Sequence, residues 1–278
     1  MTTDPELAKP LKRIPVSDLV LADGAPAQGA PLHPVIVTLR RRPDRWQKIV
    51  GDLARIGITR TTRFFAVDGA ALSEDTLAGL VDEACEVSHS PTSHTQLTRP
   101  AIGCFLSHLT IWKRFLEGSN ERLVILEDDA VPSPTYTALR AQELLASIPP
   151  EADLVLLGCT IMAGLAEKTA SERLSRVYYF NGTYAYLITR KGCSNLLPHL
   201  VPMRAHIDHQ ISAALVKHRD RLFAYAATPG LFDHDFSSWS DAYVPLAASE
   251  QADRHLHALL TSARDSLRTD HRLAGGED

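Results

Sequence analysis

Three consecutive acids, Glu127, Asp128 and Asp129, end an apolar run in the stretch RLVILEDDAVP. Packing gains nothing from like charges crowded at a strand tip, because they repel one another and resist burial. Side chains alternate along an extended segment, which sends Glu127 and Asp129 one way and Asp128 the other. Two carboxylates so spaced can hold one hard divalent cation through oxygen ligands. The open face of that cation suits the phosphate oxygens of a nucleotide diphosphate, which it would grip and turn into a better leaving group. Two other readings stand beside this one. The acids can simply end the strand in a solvated turn, or they can belong to a phosphate-accepting receiver domain. A receiver needs a phosphorylatable Asp one strand later, where ADLVLLGCT offers Gly158 and Cys159. The sequence contains neither a Walker A loop nor a GxGxxG fingerprint, so P-loop and dinucleotide chemistry lack support.

Other groups suit the same chemistry, each with a plainer alternative. Arg40, Arg42 and Arg45 follow the apolar VIVTL; guanidinium forks fit a diphosphate, and arginines at a helix start are also ordinary surface. Asp68-Gly69 ends RFFAVDG. There a carboxylate can accept hydrogen bonds from a ligand and glycine permits close approach, or the pair is a common tight turn. Asp208 opens a helix in HIDHQI, where the helix dipole stabilises any acid. His234, between Asp233 and Asp235, is either a metal ligand or part of a solvated loop. Ser107 and His108 lie on an otherwise apolar helix, a setting in which histidine is usually a satisfied structural residue. Trp112 and Tyr186 read as core.

The surrounding elements must position these groups. VIVTL is a short buried strand, and the helix after it has Pro43 in its first turn and Trp46, Ile49, Val50, Leu53 and Ile56 at helical spacing. RFFAVDG returns as a strand, and capping residues open a helix at Ser73. A strongly apolar helix carries Ile102, Phe105, Leu106, Leu109, Trp112 and Leu116, ahead of the acid-tipped strand, another helix and ADLVLLG. Strands alternating with helices predict an α/β sandwich with a mostly parallel sheet. Ligands bind such sheets at the carboxyl ends of the strands, where Arg40, Asp68 and the three acids fall. RVYYFNGTYAYLITRKGCSNLLPHL reads as strand, turn, strand and short helix, and HIDHQISAALVKH as a helix. Residues 1–33 are a proline-rich extension, 34–245 the main domain, and 246–278 a helical tail. One face of that tail carries Leu256, Leu259, Leu260, Ala263 and Leu267, a contact surface for an oligomer.

The chain has 278 residues, 45% of them hydrophobic, which is ample for a large core. Its formal net charge of −4 is too mild to imply a nucleic-acid partner. Cys85, Cys104, Cys159 and Cys193 are widely separated, with no CxxC pair, so reduced thiols are expected and a zinc site is not. No apolar run is long enough to cross a membrane and no secretory leader is recognisable. The expectation is a cytoplasmic protein that meets any lipid-borne substrate peripherally.

Taken in order through residues 35–241, the motifs resemble glycosyltransferase family 25, the lipopolysaccharide-type and collagen-type sugar transferases. VIVTLRRRPDRW resembles the family's opening strand and turn, FFAVDG its second signature, and AIGCFLSHLTIWKRF its third. LVILEDDAV resembles its acidic metal motif, and NGTYAYLITRKGCSNLL its acceptor-side hairpin and helix. HIDHQI and TPGLFDHDFSSWSD resemble the segments that close the domain. Pro100-Ala101 stand where the family usually has Gly-Glu.

The resemblance implies a GT-A-type, Rossmann-like α/β/α sandwich and a UDP-sugar donor held through Mn²⁺ or another divalent cation. Glu127 and Asp129 would flank that ion, with Asp129 the direct ligand, Asp128 touching ribose or orienting the ion, and His234 completing the coordination. One or two of Arg40, Arg42 and Arg45 would face the diphosphate. Asp68 and Gly69 would meet the uridine, and Gly182 and Thr183 would turn near the sugar. Trp239 would stack on a sugar ring, and the helix bearing Ser107 and His108 would back the nucleotide pocket. Inversion at the anomeric carbon is implied, with Asp208 as base. The expected reaction moves a hexose, galactose first, to a glycan, lipid-linked glycan or protein acceptor, as in lipopolysaccharide biosynthesis. A non-catalytic relative and a nucleotide-sugar hydrolase are the alternatives.

Overall fold

The computed structural model describes residues 32–88, 96–161 and 165–235. The extension up to residue 31, Trp239 and the C-terminal tail lie outside the described residues. Strand β1 (Pro34–Thr38) is buried along its whole length, as a central parallel strand must be. Helix α1 (Pro43–Arg55) starts on its proline and buries Arg45, Ile49 and Leu53 on one face. Gly57, at φ +86°, ends it, and the amides of Gly57 and Ile58 return to the carbonyls of Ala54 and Leu53. Strand β2 (Thr62–Phe65), a 3-10 turn (Gly69–Ala71) and short α2 (Glu74–Ala78), capped by Ser73, follow.

Helix α3 (Arg99–Glu117) is capped by the Thr98 hydroxyl, has Pro100 in its first turn and is buried on nearly every side. Next come β3 (Arg122–Glu127), β4 (Ala130–Pro132), α4 (Ala138–Ala146), β5 (Leu154–Thr160) and β6 (Ala166–Lys168). The chain continues through β7 (Leu174–Val177), β8 (Asn181–Thr189), α5 (Arg190–Leu196), α6 (Ile207–Lys217), β9 (Ala224–Ala227) and β10 (Phe232–His234).

The main sheet has the order β2-β1-β3-β8-β5-β9-β7-β6, and β4 pairs separately with β10. Strands β2, β1, β3, β5, β9 and β6 run one way, while β8 and β7 run against them. The α/β class and its mostly parallel sheet are therefore present, with β8 inserted antiparallel between β3 and β5. Alternate residues of one strand feed opposite cores, as the period of two requires. Val35, Val37, Ile125, Leu154 and Leu156 pack with α3, α5 and α6. Ile36, Val124, Leu126, Val155 and Leu157 pack with α1 and α4. The result is an α/β/α sandwich. Leu32 belongs to the second core, so packing reaches at least two residues ahead of the boundary expected at residue 34.

Candidate functional site

The carboxyl ends of β1, β2 and β3 and the first turns of α3 line a cleft that is open to solvent. Arg41 and Arg45 line it from the β1 side, Asp68 and Gly69 from β2, Pro100 and Cys104 from α3, and all three acids from β3. Two glycines let α3 come this close. A Cβ on Gly69 would lie 1.8 Å from the Arg99 carbonyl oxygen, and one on Gly103 would lie 2.5 Å from the Gly69 nitrogen. Ser107 fastens the contact: its Oγ accepts from the Val67 amide at 2.9 Å and donates to the Gly103 carbonyl at 2.7 Å. The helix therefore forms the wall of the cleft beside Gly69, and Gly69 serves packing before it serves any ligand.

The acids do not alternate as an extended strand would have them. Strand β3 stops at Glu127, and Asp128 and Asp129 occupy a turn before β4. Arg45 Nη1 lies 3.1 Å from Asp128 Oδ1 and 3.8 Å from Asp129 Oδ2, so both aspartates meet one guanidinium. Glu127 faces elsewhere. Its Oε1 accepts from Thr183 Oγ1 at 2.7 Å and lies 3.3 Å from His108 Nε2. His234 comes in from the far end of the chain, because β10 pairs with β4 and sets His234 opposite Ala130. Its Nε2 lies 3.3 Å from Asp129 Oδ2, and the next amide, that of Asp235, donates to the Asp129 carbonyl at 2.8 Å. Gly158 makes room for this strand: a Cβ there would sit 2.3 Å from the Phe232 carbonyl oxygen.

Charge is crowded at this point. Burial, with the charge of Asp129 adding to it, pushes Asp128 up to about 6 against the opposing pull of Thr38 and Arg45. The hydrogen bond to Asp129 holds His234 above the usual imidazole value despite partial burial. Among the described residues, the buried Asp129 Oδ1 finds no hydrogen-bond partner. A buried carboxylate oxygen left unsatisfied is costly, and it is the kind of atom a cation would complete.

The arginines sort differently from expectation. Arg40 stacks 4.1 Å above the Phe65 ring, and Arg42 pairs with Asp44 at 2.8 Å; neither lines the cleft. Arg45 does line it, but its Nη1 is spent on the acids. Arg41, absent from the candidates read off the sequence, lines the cleft and pairs with Asp68 at 3.1 Å. Only the turn at Arg40–Arg41 decides which arginine of the run points inward. Asp68 also accepts from the Ala70 amide, capping the 3-10 turn. Asp208, in the first turn of α6, stands outside the cleft lining. Its Oδ2 accepts from the Gly182 amide and its Oδ1 from the His209 amide, each at 2.8 Å. Gly182 has φ +89°, a left-handed conformation that favours glycine. Asp208 therefore fixes the start of β8, from which Thr183 reaches Glu127.

With this geometry in view, the family model described as Glycosyltransferase family 25 (LPS biosynthesis protein) matches residues 32–211. The chain belongs to glycosyltransferase family 25. A glycosyltransferase 25 family member of Aedes aegypti is 28% identical over 249 residues, covering 84% of this chain and 41% of its own length. Human procollagen galactosyltransferase 2 is 36% identical over 94 residues, covering 34% of this chain and 15% of its own. A human protein named inactive glycosyltransferase 25 family member 3 is 29% identical over 168 residues, covering 58% and 28%. The chain thus spans less than half the length of the curated relatives it matches. The family 25 match takes in every candidate residue up to Asp208, while β10 and His234 lie beyond it.

Proposed function

We propose that this family 25 chain is a divalent-cation-dependent, inverting hexosyltransferase that uses a UDP-sugar, with galactose the first candidate. The observation that carries the reading is Asp129: it lines the cleft with Glu127 and Asp128, His234 approaches its Oδ2, and its buried Oδ1 finds no hydrogen-bond partner among the described residues. Carboxylate oxygens joined by one imidazole suit a cation such as Mn²⁺ or Mg²⁺, so Asp129, Glu127 and His234 are the proposed ligands. When bound, such a cation would offset the charge of a departing diphosphate.

The chain's own residues supply the rest of the proposed chemistry. Arg45 neutralises part of the acid charge before any cation arrives. Arg41 and Asp68, paired across the cleft wall, are placed for the diphosphate and for the uridine hydroxyls. Thr183 holds Glu127. Asp208 is the proposed base for the acceptor hydroxyl, its carboxylate oriented by two amides and free to accept through its remaining lone pairs. No helix among the described residues is long and apolar enough to cross a membrane. The proposed setting is cytoplasmic, with a glycan, lipid-linked glycan or protein acceptor met in solution or at a membrane surface.

Calorimetric titration of UDP with and without Mn²⁺, on wild type and Asp129→Ala, tests the donor site. Binding that requires Mn²⁺ and vanishes in a folded variant supports it; metal-independent binding or none at all sinks it. A relative named inactive favours one second reading, a non-catalytic binding protein. That protein would bind UDP with Mn²⁺ yet release none from any UDP-hexose given an acceptor. Release without an acceptor would mark a hydrolase instead.

A further inference from the structure

A buried line of polar side chains runs to Glu127 from behind the cleft. Trp112, Tyr186 and His108 are 0%, 1% and 0% exposed, within the core between α3 and β8. Trp112 Nε1, which can only donate, gives its proton to Tyr186 Oη at 2.9 Å. Tyr186 Oη lies 2.7 Å from His108 Nδ1. His108 Nε2 lies 3.3 Å from Glu127 Oε1 but off the line of a formed hydrogen bond, and it has no other partner.

Counting donors sets the direction of the chain. The Tyr186 hydroxyl proton is buried, and the acceptor within reach is His108 Nδ1. Were Nδ1 protonated, two donors would converge on one hydroxyl oxygen and the hydroxyl proton would have nowhere to go. Nδ1 therefore accepts, and the neutral ring carries its proton on Nε2, facing Glu127. The same count bears on a second possibility. Ligand atoms of Cys104, His108 and Glu127 lie within 4.8 Å of one another, a set that could hold a metal ion. A protonated Nε2 offers no lone pair, so in this tautomer the set is one ligand short until that proton leaves.

We infer that His108 is a positioning residue: locked by Tyr186 and Trp112 as the Nε2–H tautomer, it stands ready to join Thr183 in holding Glu127 Oε1 when a cation draws Oε2. This rests on the reading of the acids as a cation site. Both of the described contacts of Glu127 fall on Oε1. A small rotation of the carboxylate as Oε2 is drawn to a cation would bring the His108 contact into line, in the way that site hydrogen bonds tighten on loading.

Two measurements on the full chain test this. Two-bond ¹H–¹⁵N spectra, with His108 identified by its loss in His108→Gln, should show the Nε2–H tautomer in wild type and mixed tautomers in Tyr186→Phe. Titration of Mn²⁺ in the presence of UDP should show His108→Leu weakened by roughly 10–100-fold, the usual effect of losing an outer partner of a metal ligand. His108→Gln, which still donates, should keep most of the affinity. An Nδ1–H signal in wild type overturns the inference, and so does wild-type Mn²⁺ affinity in a folded His108→Leu. If His108→Leu does not fold, Tyr186→Phe carries the same titration and an unchanged affinity counts equally against it. Zn²⁺ displacing the Nε2 proton would instead establish the soft-metal set. Wild type that binds neither Mn²⁺ nor UDP overturns the functional reading and the role assigned at Glu127, while the tautomer spectrum still decides the relay on its own.

Discussion

Asp128→Asn probes the charge crowding on which the cation site depends. In the cation-free protein Asp128 titrates at about 6, raised from the usual 3.8 chiefly by burial. Its side chain is 10% exposed, so solvent screens it little. The folded protein thus holds this proton more tightly than the unfolded chain does. That preference favours folding fully below about 3.8 and is lost as the pH rises through about 6. The separation of the two values amounts to about 3 kcal/mol over the whole transition. Asparagine does not titrate, so the difference between wild type and variant isolates this group. Any cost that does not depend on ionisation, such as repacking around the amide, enters equally at each pH. Urea unfolding with EDTA present, from about pH 4 to about pH 7, should show wild type losing a little over ~2 kcal/mol relative to Asp128→Asn, most of it before pH 6. Mn²⁺ should flatten that curve, because a nearby cation favours the ionised acid. A difference that does not vary with pH would refute the crowding. One that varies but ignores Mn²⁺ would refute a cation beside Asp128.

Three further outcomes follow from the same geometry. Asp208→Asn should cut sugar transfer by about 10²–10⁴-fold, the usual contribution of a general base, while UDP affinity stays at the wild-type level; retained transfer, read by UDP release, would remove Asp208 from that role. Gly158→Ala places a methyl 2.3 Å from the Phe232 carbonyl, so it should push β10 away, cost about 1–3 kcal/mol in urea unfolding, and weaken Mn²⁺ binding as His234→Ala does. Gly69→Ala meets the Arg99 carbonyl at 1.8 Å and should cost at least about 1–3 kcal/mol while loosening UDP through displacement of α3; unchanged thermal stability would contradict the packing role given to that glycine.

Much of this molecule is legible in local sequence. The β-branched run at Val35–Leu39, the helical spacing of Trp46, Ile49 and Leu53, and the apolar helix through Trp112 each encode their element by period, because burial on one face repeats every two or 3.6 residues. The acids at the end of β3 are likewise placed by strand direction alone, whereas RFFAVDG leaves its strand at Phe65, three residues before Asp68. Sequence reasoning erred where one residue of register mattered. Extended alternation through Asp129 predicts opposite sides for Asp128 and Asp129, but the strand ends at Glu127, so Asp128 turns with Asp129 toward Arg45. The same uncertainty, one residue in a run of arginines, hid Arg41 and favoured Arg40 and Arg42.

Other features exist only once distant segments meet. His234 reaches Asp129 because β10 pairs with β4, and the polar letters around it give no sign of a strand. Thr183 reaches Glu127 because β8 lies antiparallel beside β3, its start fixed by Asp208 from α6. His108 reads in sequence as a satisfied core residue; it is buried with Nδ1 bonded to Tyr186, but the packing of α3 on β8 aims its second nitrogen at an acid without a formed bond. Local periodicity determines which elements form and which face each buries. Which atom of one element meets which atom of another depends on pairing register and close backbone approach, and those are settled by the whole chain at once.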